Sequence, residues 1–281
     1  MILVDAHVHV HDCFDLQNFL DSALRNFRTE AATWQQGDSF SGVLLLTESA
    51  QVNWFQRFAF YADKERVIGR GNNCNYWTFS RTNEACSLRA GCAAGPGLFV
   101  IAGRQIVTAE KLEVLALATD KEYRDGLPLS QTIQTVKESD AIPAVPWGFG
   151  KWMGKRGRIL TEVLKQANKS DFFLGDNGGR SFFLPYPYHS KLAESKGIRV
   201  LPGSDPLPFA SECRRPGGFG FSVEGKLDPN QPARDIKNIL MDSSFIPRPY
   251  GALENPYRFF RNQLAMQILR QNRRQNLGVG D

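Results

Sequence analysis

The sequence predicts an α/β fold in a single domain: a closed, TIM-like barrel of mainly parallel strands with helices outside. Three observations lead there. Short apolar runs alternate with stretches of helical periodicity along most of the 281 residues, and that alternation builds a mostly parallel sheet covered by helices. No internal repeat, linker or low-complexity segment divides the chain. A closed β/α barrel takes about 250 residues, which is near this length. The predicted domain is 1–281, with a helical extension from about 233 to the C-terminus.

The elements follow in order. "MILVDAHVHV" reads as a strand, and "DLQNFLDSALRNFRTEAATWQ" as a helix with Leu16, Phe19, Leu20, Leu24 and Phe27 on one face. "SGVLLLTES" is a buried strand and "NWFQRFAFYADK" a helix; from Val67 to Cys92, "NNCNYWTF" suggests a hairpin or an irregular insertion. "GLFVIAGRQIVT" and "LEVLALAT" read as two strands around the turn "AEK". "SQTIQTVKES" is a helix, "AIPAVPWG" a strand running into a glycine-rich loop, and "RILTEVLKQANK" a helix. "DFFLGDNGG" is a strand and turn, "PYHSKLAESKG" a helix with a glycine stop, and "IRVLPGSD" a strand. "RRPGGFGFSVEG" reads as a loop, and "PARDIKNILMDS" and "NPYRFFRNQLAMQILRQ" as closing helices.

Composition limits the function classes. The 5 Cys are odd in number and form no CxxC pair, which disfavours a disulfide framework and suits a reducing cytoplasm. Asp5 and His7 interrupt the apolar start before a signal peptide's apolar region can form, and no apolar run is long enough for a membrane span. The net charge of +5 favours an anionic partner. Part of it is Arg270, Arg273 and Arg274, cations at a helix end that complement the helix dipole. No nucleic-acid-binding motif or aromatic–basic strip stands out, so nucleic acid is an unlikely partner. The sequence leaves the oligomeric state open.

The opening strand carries the chemistry. His7, His9 and His11 hold three of the 4 histidines at alternate positions. Side chains alternate across a strand, so Ile2, Val4, Ala6, Val8 and Val10 share one predicted face, and Asp5, His7, His9 and His11 the other. With the apolar face against outer helices, His7 and His9 aim their rings at one point in the barrel mouth, where neutral imidazole suits zinc or iron. Asp205 in "LPGSDP" follows a strand, the place where barrel sites collect their chemistry. Glu48 in "VLLLTES" and Asp176 and Asn177 in "FFLGDNGG" occupy similar positions. Glu113 is an acid inside an apolar strand, where an unpaired carboxylate is costly. Lys151, in "WGFGKWMGKRGR", Arg104 and Arg180 are candidate cations for an anionic substrate.

These stretches resemble the polymerase and histidinol phosphatase (PHP) superfamily. "DAHVHVHD", "VIAGRQIVTAEKLEVLALAT", "AIPAVPWGFG" and "GSDP" match its motifs in order along most of the chain. The resemblance implies a distorted barrel of about seven β/α units and metal-dependent phosphoester hydrolysis at a two- or three-metal cluster. His7 and His9 fit the first motif, with Asp12 or Asp15 as its following acid, and Asp205 fits the last. Gln105 stands where the family has a glutamate, Val145 where it has a histidine before proline, and Leu207 where it has the terminal histidine. Valine and leucine cannot bind a metal, so the full cluster is not expected. The expected cofactor is one divalent ion (Zn, Mn or Fe) held by His7, His9 and Asp205 with Glu113 or Glu48, or none. The expected function is a metal-dependent phosphoesterase acting on a small phosphorylated, anionic substrate. The alternative is a catalytically inactive relative that binds an anionic ligand. An amidohydrolase-type enzyme also begins with HxH, but this chain has too few later histidines for it.

Overall fold

The computed structural model describes residues 1–69, 76–92 and 95–277. The first half of "NNCNYWTF", residues 72–75 with Cys74, lies outside them. The chain begins with β1 (Ile2–Val8), α1 (Leu16–Thr33), β2 (Ser41–Leu46) and α2 (Trp54–Asp63). An antiparallel group follows: β3 (Val67–Ile68), β4 (Trp77–Arg81), β5 (Ser87–Cys92) and β6 (Gly95–Ile101). Then come β7 (Gly103–Val107), β8 (Glu113–Leu117), α3 (Leu129–Glu138), β9 (Ile142–Pro146), α4 (Gly154–Gln166), β10 (Phe173–Asn177), α5 (Tyr188–Ser195) and β11 (Val200–Gly203). A 3-10 turn, Ala210–Arg214, precedes β12 (Phe219–Val223), α6 (Pro232–Met241), β13 (Arg248–Gly251) and α7 (Pro256–Leu277).

The closed seven-unit barrel is corrected. The described strands form two sheets, one ordered β13-β12-β1-β2-β6-β5-β4-β3 and one ordered β11-β10-β9-β8-β7. A ring of β/α units needs parallel neighbours throughout. Here only β1–β2, β2–β6, β9–β10 and β10–β11 pair in parallel, and the remaining ladders are antiparallel. The predicted strand "GLFVIAGRQIVT" breaks at Ala102, which sends β6 into one sheet and β7 into the other. Between the sheets lies an apolar layer that includes Ile2, Val4, Val43, Ile101, Leu117, Phe173 and Phe221.

The sheets meet at the ends of two strand pairs. The Asp205 N–H donates to His7 O at 2.8 Å, and the Gln105 N–H donates to Glu48 O at 2.8 Å. Gly203 permits the first meeting, because a Cβ there would lie 2.4 Å from the His7 nitrogen.

Helices cover the outer faces. α1 is capped by Asp15, which accepts the Asn18 N–H at 2.8 Å, and it buries Phe19, Leu20, Ala23, Leu24 and Phe27. Each such large apolar side chain contributes about 1.5–3 kcal/mol. The strict alternation predicted for β1 does not hold. Its register with β2 shifts between Asp5 and Val8, and a bulge resets which side chains share a face. Ile2, Val4 and Ala6 face the layer between the sheets, whereas Leu3, Val8 and Val10 join the α1 side.

The glycine-rich stretch predicted as a loop contains β12, antiparallel to both β1 and β13. At Gly220 a Cβ would meet Val4 O at 2.1 Å, so glycine there serves close strand packing. The predicted C-terminal extension is therefore not purely helical, since it contains β13. Among the described residues, Cys13, Cys86, Cys92 and Cys213 are free, and no helix is long and apolar enough to cross a membrane.

Candidate functional site

The bulged end of β1 carries His7 and His9, and the residues after β11 place Asp205 opposite them. Asp205 has φ +43°, a left-handed conformation that aspartate tolerates better than most residues. His7 Nε2 lies 3.0 Å from His9 Nε2, and these atoms lie 3.6 and 3.4 Å from Asp205 Oδ1. Donors about 2.1 Å from one ion stand about 3.0 Å apart at a right angle and about 3.4 Å apart at a tetrahedral angle. The three separations therefore suit a single ion, and these residues form the cluster able to hold a metal among the described residues.

Electrostatics favour the ligand forms. Burial, then the neighbouring His7, push His9 down to about 3, so its ring is neutral at physiological pH with a nitrogen lone pair free to coordinate. Burial opposes ionisation of Asp205, but His7, His9, Lys151 and Arg215 outweigh it and hold the carboxyl below its ordinary range. Asn177 Nδ2 donates to Asp205 Oδ2, which orients the carboxylate. His11 stands apart from the pair, with its Nε2 3.0 Å from Pro206 O.

The cluster borders a pocket of about 560 Å³ whose wall includes His9, Glu48, Gln105, Glu113, Lys151 and Arg215. Glu113 and Glu48 thus share the pocket but lie outside the three-residue cluster. Lys151 Nζ pairs with Glu113. Glu48 accepts the N–H groups of Trp54 and Phe55 and so caps α2.

Of the three candidate cations, only Lys151 lines the pocket. Arg104 is buried among Glu122, Val52 O and, at 4.0 Å, Glu48. Arg180 forms a two-pronged pair with Asp176, both bonds 2.9 Å. Their guanidinium groups are held by these partners, and neither residue lines the pocket.

Val145 belongs to the apolar cluster under the outer helices, with Leu160 and Val200, so a histidine there would not reach the cluster. Sequence reading missed Arg215. It lines the pocket while paired with Glu254 and, at 3.4 Å, Glu212; Arg258 of α7 joins the same acids at 3.4 and 3.0 Å. Its only sequence signal was membership of a glycine-rich stretch.

Glu48 makes the site's surroundings sensitive to pH. Burial pushes its carboxyl up to about 7, against the Phe55 and Trp54 amides and Arg104. A raised carboxyl stabilises the fold below its unfolded value of 4.5, and that contribution is lost as pH rises through about 7. Glu48→Gln should therefore gain about 2–3 kcal/mol relative to the wild type between about pH 5 and about pH 8. Urea unfolding of both proteins at the two pH values measures this, and a pH-independent difference would refute it.

No protein-family model matches the chain, and no curated protein matches it in sequence. Among solved structures it is similar to PsfC from Pseudomonas syringae PB-5123, with a TM-score of 0.55 and 16% identity over 95% of this chain and 98% of that one. This likeness shows a shared fold. The lesion-specific endonuclease PfuEndoQ from Pyrococcus furiosus is more distant, with a TM-score of 0.45 and 12% identity over 88% of this chain and 57% of that one. Endonuclease Q in complex with a 27-mer duplex substrate, with an abasic lesion at the active site, has a TM-score of 0.42 and 12% identity over 84% and 55%.

These neighbours correct the expectation of a small anionic partner with nucleic acid set aside, because one of them holds a duplex. The pocket reaches α7. Its wall includes Asn262, Gln263 and Met266 of α7, a helix that carries arginines and no acidic residue.

Proposed function

We propose that this chain is a metal-dependent phosphoester hydrolase of the PHP type, with one divalent ion, Zn, Mn or Fe, held by His7, His9 and Asp205. The observation that carries this reading is the 3.0–3.6 Å spacing of the three donor atoms. Two neutral imidazoles and a carboxylate suit these ions. A bound ion of this kind activates water and polarises a phosphoryl oxygen. Asn177 orients Asp205, while Lys151 and Arg215 supply positive charge on the pocket wall. The free thiols of the described cysteines suit a reducing cytosol.

A second reading, a domain that binds an anionic ligand without hydrolysing it, is favoured by the engagement of Glu113 with Lys151 and of Glu48 with α2. Neither acid is then free to help hold a second ion.

The deciding experiment combines elemental analysis with turnover of bis(4-nitrophenyl) phosphate in the presence of Mn²⁺ or Zn²⁺. Bound metal and metal-dependent turnover, reduced about a hundredfold in Asp205→Asn, support the hydrolase. Bound metal without turnover supports the second reading. Protein that binds no metal refutes the first.

A further inference from the structure

The pocket mouth continues into a path of exposed aromatic rings. Phe149 lines the pocket and is 51% exposed. Its ring packs edge-on against the buried Phe259 of α7 at 5.2 Å between centroids. Phe183 packs on the same Phe259 at 6.0 Å and stacks on Phe260 at 5.8 Å. Phe183 and Phe260 are 45% and 60% exposed. Three solvent-facing rings thus surround one buried ring and lead outward from the pocket.

Cations are frequent in the segments that flank this path. The α7 sequence contains Arg258, Arg261, Arg270, Arg273 and Arg274 and no acidic residue. On the other side, the segment after Phe149 continues through Lys151, Lys155, Arg156 and Arg158. The nearby acids are neutralised, Glu113 by Lys151 and both Glu212 and Glu254 by Arg215 and Arg258. Arg261, next to Phe260 in sequence, and Lys155 and Arg158 are exposed with no ion pair among the described residues, and exposed rings beside such cations are what a single-stranded polynucleotide needs. Bases stack on aromatic faces regardless of sequence, and phosphates follow the positive charge.

We propose that Phe149, Phe183 and Phe260, with Arg261 of α7 and the nearby Lys155 and Arg158, form a platform for a single-stranded nucleic acid, whose phosphodiester backbone leads into the pocket. This deepens the phosphoester-hydrolase reading and rests on it for the reaction, while strand binding itself needs no metal. Two other occupants are possible in chemistry but fit less well. An anionic membrane surface would use the apolar side that α7 itself exposes through Tyr257, Phe260, Leu264 and Ile268, but Phe149 and Phe183 lie off that helix and Phe149 lines the pocket. A second copy of this chain would set one acid-free arginine helix against another.

The test is fluorescence anisotropy of a labelled single-stranded oligodeoxythymidine of about 15 nucleotides, with the full chain in chelator. Tight, salt-sensitive binding is expected. The Phe183→Ala, Phe260→Ala double variant should bind about tenfold or more weakly. Arg261→Glu should weaken binding and flatten its salt dependence. Both changes lie at exposed positions, and circular dichroism checks that the fold is kept.

Strand affinity unchanged in both variants overturns the proposal. So does ring-dependent binding to phosphatidylserine vesicles without strand binding, which favours a membrane. Ring-dependent self-association without strand binding overturns it in favour of a second copy. Ring-dependent strand binding in chelator, with no metal uptake, would sustain the platform and refute the metal reading. Metal-dependent turnover with ring-independent strand binding would do the reverse.

Discussion

Zn²⁺ or Mn²⁺ at a hundred times its dissociation constant should stabilise the protein by about 2.7 kcal/mol, and the His7→Ala, His9→Ala double variant should show none of this gain. For a chain of this size the gain corresponds to a rise of roughly 5 °C or more in the unfolding midpoint. The expectation rests on three donor atoms held 3.0–3.6 Å apart. Turnover in the double variant should fall about a thousandfold, equivalent to about 4 kcal/mol of barrier. The variant should still fold, since Leu3, Val4 and Val8 keep β1 packed on both sides. Thermal unfolding with and without metal is the measurement. Equal metal-induced shifts in the wild type and the variant would place the ion elsewhere.

Asp5→Ala should destabilise the fold by about 4 kcal/mol without removing a metal donor. Asp5 is fully buried. Its Oδ1 accepts the Ser204 N–H at 2.8 Å and the His7 N–H at 3.3 Å, and its Oδ2 accepts the Gly217 N–H at 2.8 Å. One carboxylate thus ties β1 to the segment that presents Asp205 and to the turn before β12. Alanine would strand three amide donors, two of them at 2.8 Å, and each unsatisfied buried donor costs about 1–3 kcal/mol. Asp5→Asn keeps one oxygen acceptor and should cost roughly half as much. Urea denaturation of both variants gives the values, and a loss below about 1 kcal/mol for Asp5→Ala would show that the link is dispensable. In the metal titration, Asp5→Ala should bind more weakly than Asp5→Asn, because the geometry opposite His7 would loosen.

Local pattern made a large part of this protein legible. The helices of α1, α2, α3, α5 and α6 fall where apolar spacing puts them, because that spacing is a property of neighbouring residues. The pairing of His7 with His9, and the choice of Asp205 as their companion, were also readable. Two residues apart on a strand lie close together, and the end of a later strand is a common place for a third group.

Other features depend on residues far apart in sequence. The strands divide into two sheets because Ala102 separates β6 from β7 and antiparallel partners interrupt the β/α order. Glycines in "PGGFGF" read as loop until Gly220 meets Val4 and Tyr250 across the sheet. Arg104 and Arg180 look available for a substrate, yet Glu122 and Asp176 hold them. Asp5 shares a predicted face with the histidines, and only the bulge in β1 gives it a separate, structural task.

The sequence by itself determined most of the helices and the strands of the β/α part, though not β12 or β13, and which residue types can hold a metal, since these are written in periodicity and side-chain chemistry. Tertiary structure alone decided which of those residues meet. Asp205 lies opposite His7 because Gly203 lets two strand ends touch, and Arg215 reaches the pocket because Glu212 and Glu254 hold it there. Such meetings depend on packing and on competition among charges for partners, and neither leaves a trace in local spacing.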